Sequence, residues 1–253
     1  MKSGDYQISW GRPDGSVVGT AMDHHPDRGG LNARTNIYYL QTSDFGKSWT
    51  TAGGEKVETP LRETTNAALV HDFEKEGLLV YLKDLAFDAD GRPVVLYLTS
   101  KGHASGPGSG PRVWETARWT GSGWERRRCF ESDHNYDHGS LYIEGDGTWR
   151  IIAPTEPGPQ AGTTGGQIVV HTSKDQGKTW TKVATLPAPN DRSQTYVRRP
   201  WRAHEAFYAL WADGDALNPS ESDLYFCDKS SNVFRLPRKM DGDGASPERM
   251  PRD

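Results

Sequence analysis

The stretch Ile37–Thr50 reads IYYLQTSDFGKSWT, and it aligns without gaps on a second stretch, IVVHTSKDQGKTWT, at Ile168–Thr181. Both contain the pattern Ser/Thr-x-Asp-x-Gly-x-Ser/Thr-Trp. In this pattern the Asp side chain accepts hydrogen bonds from turn backbone donors, Gly permits the left-handed conformation, and Trp folds back beneath the turn. We therefore predict two tight hairpins of the same design, far apart in the chain.

With these turns as anchors, a unit of four antiparallel strands can be read four times. The units cover about residues 6–52, 78–129, 138–186 and 196–237. We predict an all-β fold, a β-propeller over residues 1–237 in which four blades of four antiparallel strands are visible. Residues 238–253 have the composition of a solvated segment and are predicted to form a disordered tail.

The composition supports this fold class and excludes several functions. The 28 Gly and 16 Pro break helices, while nine Trp, ten Tyr and seven Phe favour pleated surfaces. A net charge of −4 without a basic block argues against a nucleic-acid partner. No apolar run approaches the ~20 residues that a membrane-spanning helix needs. Cys129 and Cys227 lie too far apart in sequence for a disulfide framework or a zinc cluster.

The long connections of the predicted propeller emerge at one end, which we call the loop face. They join the second and third strands of each unit and link one unit to the next. Long loops gathered at one end of a rigid β scaffold are where binding and catalysis usually lie. Most histidines and many cationic and aromatic side chains fall there. The candidate substrate-binding residues are His25, Arg34, His103, His134, Tyr136 and Arg199.

Two runs on the loop face contain closely spaced titratable and cationic side chains. The His-x-x-x-His spacing within Asp133–His138 only weakly suggests a metal outside a helix, and we predict neither a metal nor another cofactor. The run Tyr196–Pro200 opens the innermost strand of the fourth unit, where alternate side chains face the central channel. An arginine there suits a carboxylate ligand, and an inter-blade salt bridge is the alternative.

The chain resembles the BNR-4 group of β-propellers over nearly its whole length to about Pro237. The resemblance rests on the two hairpins, which match the Asp-box of such propellers, and on the segments His25–Pro26, Gly29–Asn32, Arg34–Asn36, Lys83–Leu85, Asn135–Asp137 and Tyr196–Pro200. The group includes polysaccharide lyases acting on uronic-acid glycans such as ulvan. Its propellers have seven blades, so the chain looks like the last four of them or closes as a ring of four.

The resemblance implies an acidic polysaccharide or oligosaccharide as partner and lyase-type β-elimination as the reaction. The family's catalytic histidine pair matches no residues here, while Tyr6 falls where a family active-site tyrosine is expected. In β-elimination the carboxylate is neutralised, a base removes the C5 proton and an acid protonates the leaving oxygen. We predict that Tyr6, His138 and Arg198 are catalytic, with Arg198 or Arg199 on the carboxylate and Tyr6 or His138 moving the proton.

Other interpretations stay open. A non-catalytic glycan-binding propeller needs only polar loops and stacking platforms, for which Trp114, Tyr136 and Trp201 are candidates. A sialidase-like hydrolase needs a tyrosine nucleophile with an acidic partner. An open propeller would expose blade faces and strand edges and so favour self-association. Met1–Asp5 lacks the apolar region of a signal peptide, whereas the resemblance suggests a secreted or periplasmic protein.

Overall fold

The computed structural model describes residues 5–26, 29, 31–160, 162, 164–215 and 218–251. The strands in these residues form four antiparallel sheets. The first sheet contains β1 (Gln7–Gly11), β2 (Val18–His24), β3 (Thr35–Thr42), β4 (Trp49–Thr50), β5 (Lys56–Val57) and β6 (Leu69–His71), the last paired with β3. The second contains β7 (Leu79–Phe87), β8 (Pro93–Ser100), β9 (Arg112–Trp119) and β10 (Trp124–Ser132).

The third sheet contains β11 (Ser140–Ile143), β12 (Trp149–Ala153), β13 (Val169–Ser173) and β14 (Thr181–Thr185). The fourth contains β15 (Ser193–Arg198), β16 (Ala209–Gly214), β17 (Leu224–Cys227), β18 (Val233–Arg235) and β19 (Glu248–Arg249). Short 3-10 helices lie at Glu74–Glu76 and Pro107–Ser109. Within the described residues no helix is long and apolar enough to cross a membrane. The all-β prediction and its four blades are confirmed.

Both repeated hairpins have the turn geometry that their sequences predict. In the first, Asp44 Oδ1 accepts from the backbone N–H of Ser48 at 2.9 Å, and Gly46 has a φ of 84°. The side-chain and backbone donors of Ser48 lower the pKa of Asp44 to about 2. In the second, Asp175 Oδ1 accepts from the N–H of Thr179 at 2.9 Å. The Asp in each hairpin is therefore a structural acceptor rather than a catalytic group.

Hydrophobic cores lie between consecutive blades. Tyr39 of the first blade packs with Leu82 of the second, and Trp114 of the second packs with Ile151 of the third. Tyr142 of the third stacks on Tyr208 of the fourth, with ring centroids 4.3 Å apart. In the part of the chain that the structure describes, no hydrophobic cluster joins the fourth sheet to the first. The sheets form an open series and do not close into a ring.

A β-bulge in β7 determines which charged side chains lie at the centre of the molecule, between the blades. The register of β7 against β8 shifts between Leu82 and Asp84, so Lys83 is an extra residue. Leu82 and Leu85, on either side, pack in the core toward the first blade. Because a bulge interrupts the strict alternation of side chains, Lys83 and Asp84 both reach toward the later blades. The Lys83 amine bonds to the link before β11, and Asp84 bonds to β11 itself.

Asp84 and Arg199 connect all four blades across this centre. Asp84 Oδ2 accepts from the backbone N–H of Leu141 at 2.7 Å and from Arg199 Nε at 2.8 Å. Arg199 follows β15 in the fourth blade, and its guanidinium carbon lies 3.6 Å from the ring centroid of Trp10 at the end of β1. Both charged side chains are largely buried. This is the inter-blade salt bridge that the sequence left as the alternative for this arginine run.

The segment after Pro237 returns to the fourth sheet. The sequence predicts a disordered tail over residues 238–253, but Glu248–Arg249 forms β19 and pairs with β18. The backbone N–H of Met250 donates to Val233 O at 2.9 Å, and the Met250 side chain packs on the core between the last two blades. Strand pairing, the Met250 side chain and an ion pair between Glu248 and Arg235 together hold the returning chain.

Removing the central carboxylate should destabilise the fold strongly. Asp84→Ala leaves the Arg199 guanidinium buried without its anion, and such a loss costs about 3–5 kcal/mol. We expect the free energy of unfolding in urea to fall by about that amount. The control is Asp90→Ala in the exposed turn between β7 and β8, expected to change stability by about 0.5 kcal/mol or less. An Asp84→Ala protein as stable as this control would contradict the central role of the pair.

Candidate functional site

A cavity of about 380 Å³ opens on the loop face, where the first strands of the blades begin. We call it the central pocket. It is lined by Tyr6, Gln7, Ile8, Asp23, Arg34, Leu82, Lys83, Tyr136, His138, Thr164, Tyr196 and Arg198. The first, second and fourth blades all contribute, as do the β2–β3, β10–β11 and β12–β13 connections. The pocket therefore depends on how the blades are arranged around the centre.

A larger cavity of about 580 Å³ lies at the opposite end of the sheets, between the hairpin turns of the first three blades. Its acidic side chains already form ion pairs with neighbouring cations; these are Asp14, Asp88, Asp90 and Glu144. Charges satisfied within the protein have little left for a ligand. We therefore place the candidate site in the central pocket despite its smaller volume.

Tyr6 and Arg34 form one wall of the central pocket. The backbone N–H of Tyr6 donates to Asp23 Oδ1 at 3.0 Å, which fixes the residue just before β1. The Tyr6 ring is 47% exposed, and its centroid lies 4.6 Å from that of His25. The Arg34 guanidinium carbon lies 4.4 Å from the Tyr6 ring centroid and 5.1 Å from that of Tyr81. Cation–π contacts of this kind hold a guanidinium without neutralising its charge.

Arg198 and His138 form the opposite wall. Arg198 donates from Nη1 to Lys83 O at 3.1 Å, and its Nη2 lies 3.0 Å from His138 Nδ1. Because a guanidinium only donates, His138 Nδ1 accepts and the ring proton of neutral His138 is on Nε2. Burial, together with the charges of Lys83, Arg198 and Arg34, lowers the pKa of His138 well below its usual value. Near neutral pH, His138 thus presents an N–H donor.

Tyr196 adds an aromatic surface beside His138. The register of β15 against β16 shifts between Thr195 and Arg198, and Tyr196 in this bulge has a φ of 54°, which is uncommon for a residue other than glycine. Its side chain is 59% exposed, and its ring centroid lies 4.8 Å from that of His138. Strained backbone conformations and bulges cluster at functional sites, where they aim a side chain.

Two acids beneath the pocket are buried rather than presented to a ligand. Asp23 is fully buried, its Oδ1 lies 3.0 Å from His25 Nε2, and burial raises its pKa to about 7. Asp137 is also fully buried and accepts from the backbone N–H of Gly165 at 2.6 Å, and burial raises its pKa as well. The charges that face the opening are therefore the guanidiniums of Arg34 and Arg198, and the pocket favours an anion.

The structure places the sequence-predicted site residues in different surroundings. Five line the central pocket, namely Tyr6, Arg34, Tyr136, His138 and Arg198. His25 lies behind Tyr6. His134 is buried, with Nδ1 2.5 Å from Asp133 Oδ1 and Nε2 2.8 Å from Gln160 O, so both ring nitrogens are engaged.

His103 and Arg199 contribute in other ways. The carbonyl of His103 accepts from Asn135 Nδ2 at 3.1 Å and from the Tyr136 hydroxyl at 3.3 Å, so its backbone supports the pocket wall. Arg199 is held by Asp84. Trp114 is fully buried in the core, and its prediction as an exposed stacking platform is wrong. The catalytic and binding roles of the other residues stay predictions.

Sequence reasoning did not select seven of the lining residues as site residues, and three of these seven have titratable side chains: Asp23, Lys83 and Tyr196. Lys83 and Asp84 interrupt the otherwise apolar strand LVYLKDLAF, and an adjacent charged pair in a buried strand is a signal that could have been used. Asp23 is the next-to-last residue of β2 and precedes two histidines, but nothing in the spacing shows that it is buried.

Residues 3–132 match the model of the BNR repeat-containing family, which is just over half of the chain. The chain belongs to the BNR repeat-containing family. No curated protein sequence matches it. Several solved structures are similar to this BNR-repeat protein in fold, at sequence identities too low to transfer an activity.

One such structure is an ulvan lyase of polysaccharide lyase family PL25, bound to -[GlcA(1-4)Rha3S]-, with a TM-score of 0.70 and 18% identity over 89% of this chain and 51% of that one. A second is the polysaccharide lyase Uly1, with a TM-score of 0.53 and 16% identity over 88% of this chain and 46% of that one. A third is the Hadza microbial sialidase Hz136, with a TM-score of 0.51 and 11% identity over 91% of this chain and 45% of that one. The BNR-repeat chain spans about half the length of these proteins.

The buried Asp23 should make stability fall as pH rises toward neutrality. Its folded pKa of about 7 lies above the unfolded value of 3.8, so its stabilising contribution is complete below the unfolded value and is lost as pH rises through the folded one. Relative to Asp23→Asn, which keeps an acceptor for the Tyr6 N–H, the wild-type protein should lose up to about 4 kcal/mol over this range.

Urea unfolding of both proteins at several pH values between about 4 and 8 measures this difference. Asp191→Asn, at an exposed position that is not among the charges acting on Asp23, controls for the loss of one carboxyl. A difference between wild type and Asp23→Asn that does not change with pH would show that Asp23 is not buried in this way.

Proposed function

We propose that this chain binds acidic glycans, specifically uronic-acid polysaccharides, in the central pocket and cleaves them by β-elimination. The observation that carries the proposal is the separation of charge in the pocket. Two guanidiniums face the opening while the neighbouring acids are buried, and this arrangement lies beside a phenol and an imidazole N–H. These groups suit an anionic ligand whose reaction requires proton transfer.

The pocket has groups that suit both the carboxylate and the ring of a uronic-acid sugar. A carboxylate would pair with Arg198 or Arg34, because forked guanidiniums bind carboxylates through charge-assisted hydrogen bonds. The exposed rings of Tyr6 and Tyr196 would stack on the apolar faces of the sugar rings. The ulvan lyase that shares this fold was solved with a glucuronate-containing oligosaccharide, which supports a glycan of this class.

The role of each pocket residue in β-elimination follows from its charge and its protonation. Arg198 would neutralise the uronate carboxylate, so that the C5 proton becomes acidic. Tyr6, acting as its phenolate after its hydroxyl proton has gone to solvent, would remove that proton, with the positive charge of Arg34 adjacent to its ring. The bond from C4 to the glycosidic oxygen would then break, and the leaving oxygen would take the proton from His138 Nε2. Tyr6 then releases its new proton to solvent and His138 takes one up, which restores both groups. The products are an unsaturated uronate and a new chain end.

A glycan-binding protein without turnover is the second candidate, because the same pocket can hold a uronate and release it unchanged. A sialidase-like hydrolase has less support. It needs an acid that activates a tyrosine hydroxyl, but Asp23, the acid that bonds to Tyr6, accepts from the Tyr6 backbone N–H. Among the described residues, no Glu lines the central pocket.

Binding and turnover separate these candidates. Mixed with a panel of uronic-acid polysaccharides, the wild-type protein should bind at least one and produce a rise in ultraviolet absorbance from the unsaturated product. Arg198→Gln should weaken binding about tenfold to a hundredfold, because a hydrogen bond to a charged group is lost. Tyr6→Phe should bind within a few-fold of wild type while turnover falls by about a hundredfold or more.

Arg128→Gln serves as the matched control, since Arg128 lies exposed on β10, away from the pocket. Binding without any absorbance change would select the non-catalytic candidate. If no uronic glycan binds, or if Arg128→Gln weakens binding as much as Arg198→Gln does, the proposal is wrong.

A further inference from the structure

Lys83 lines the floor of the central pocket and is almost completely buried, at 1% exposure. Its Nζ donates to an uncharged acceptor, the carbonyl oxygen of Asn135, at 2.8 Å. Asn135 belongs to the same link that carries Tyr136 and His138, and the Lys83 carbonyl holds Arg198. Lys83 therefore contacts the link that carries Tyr136 and His138 through its side chain, and Arg198 through its backbone.

The charges around this amine oppose one another. The charged groups that act on it are Asp137, Arg34, Arg198 and Asp23, and its own charge acts on His138. Burial is the largest influence, and with the two arginines it lowers the pKa of Lys83 well below the usual value, while Asp137 and Asp23 act in the opposite direction. A cation that is buried and crowded by other cations gains most when an anion arrives.

We propose that Lys83 couples glycan binding to proton uptake: its buried amine, bonded to a carbonyl oxygen in the pocket that Arg34 and Arg198 also line, takes up a proton from solvent when a glycan carboxylate occupies the central pocket. The inference rests on the proposed function and adds a third, conditional cation to the two arginines. The bound carboxylate favours the ammonium form, and by linkage the ammonium form favours the carboxylate. Affinity for the glycan should therefore rise as pH falls toward neutrality from above.

Calorimetry of the wild-type protein tests this without any substitution. The probe is an oligosaccharide of glucuronate and sulfated rhamnose, titrated in two buffers of different ionisation enthalpy, so that the buffer dependence of the heat gives the number of protons taken up. Tyr6→Phe, which should bind without turnover, keeps the oligosaccharide intact in a parallel titration. We expect uptake that is greatest near neutral pH and disappears at about pH 5, where Lys83 is already protonated.

Three variants assign the proton. Lys83→Met should abolish the uptake and lower affinity near neutral pH, whereas Lys101→Met, at an exposed lysine of the loop face, should leave both unchanged. Asp137→Asn should retain the uptake but move its maximum to lower pH, because Lys83 loses a neighbour that favours its charge. Circular dichroism of each variant checks its fold.

Each outcome decides the proposal. Glycan binding without proton uptake in the wild-type protein overturns it and leaves the proposed function standing. Uptake that persists in folded Lys83→Met, or that disappears in Asp137→Asn, assigns the proton elsewhere and also overturns it. If no uronic oligosaccharide binds at all, the proposed function fails and this inference fails with it.

Discussion

The ion pair between Asp84 and Arg199 is the interaction on which the rest of the structure depends. Its carboxylate, on the second blade, accepts from the third, and its guanidinium reaches from the fourth blade over Trp10 of the first. The hydrophobic cores join only consecutive blades. Between the first and fourth blades, this pair is accompanied by a ring contact of Trp10 with Trp201, whose centroids lie 4.8 Å apart. An open series of sheets needs such connections, because no hydrophobic core joins its end blades.

The same bulge that places Asp84 also places Lys83. One inserted residue sends two adjacent charged side chains toward the centre, and one of them fixes the blades while the other lies under the pocket. Arg198 and Arg199 divide in a similar way on β15, with Arg198 at the pocket and Arg199 in the ion pair. The residues that connect the blades and the residues at the pocket are therefore neighbours in the chain. Because they are adjacent, their contributions to stability and to ligand binding cannot be assigned to separate regions of the protein.

Much of this fold could be predicted from the sequence, because the signals are local. The two Asp-box hairpins fix their own turns, and the spacing of strands around them gives the four blades. The loop face follows from loop length alone, and it contains the pocket. The division of roles between Arg198 and Arg199 could not be predicted, since it depends on the bulges in β7 and β15. Burial of His134 and Trp114 depends on packing between elements far apart in the chain.

The charge arrangement of the central pocket is tested most directly by a crystal structure of the protein saturated with an oligosaccharide of glucuronate and sulfated rhamnose. The predicted result is a uronate carboxylate bound by Arg198 or Arg34, with sugar rings against Tyr6 and Tyr196. Sugar bound at the opposite end of the sheets, beside the exposed ring of Trp201, with the central pocket free of ligand, would contradict it.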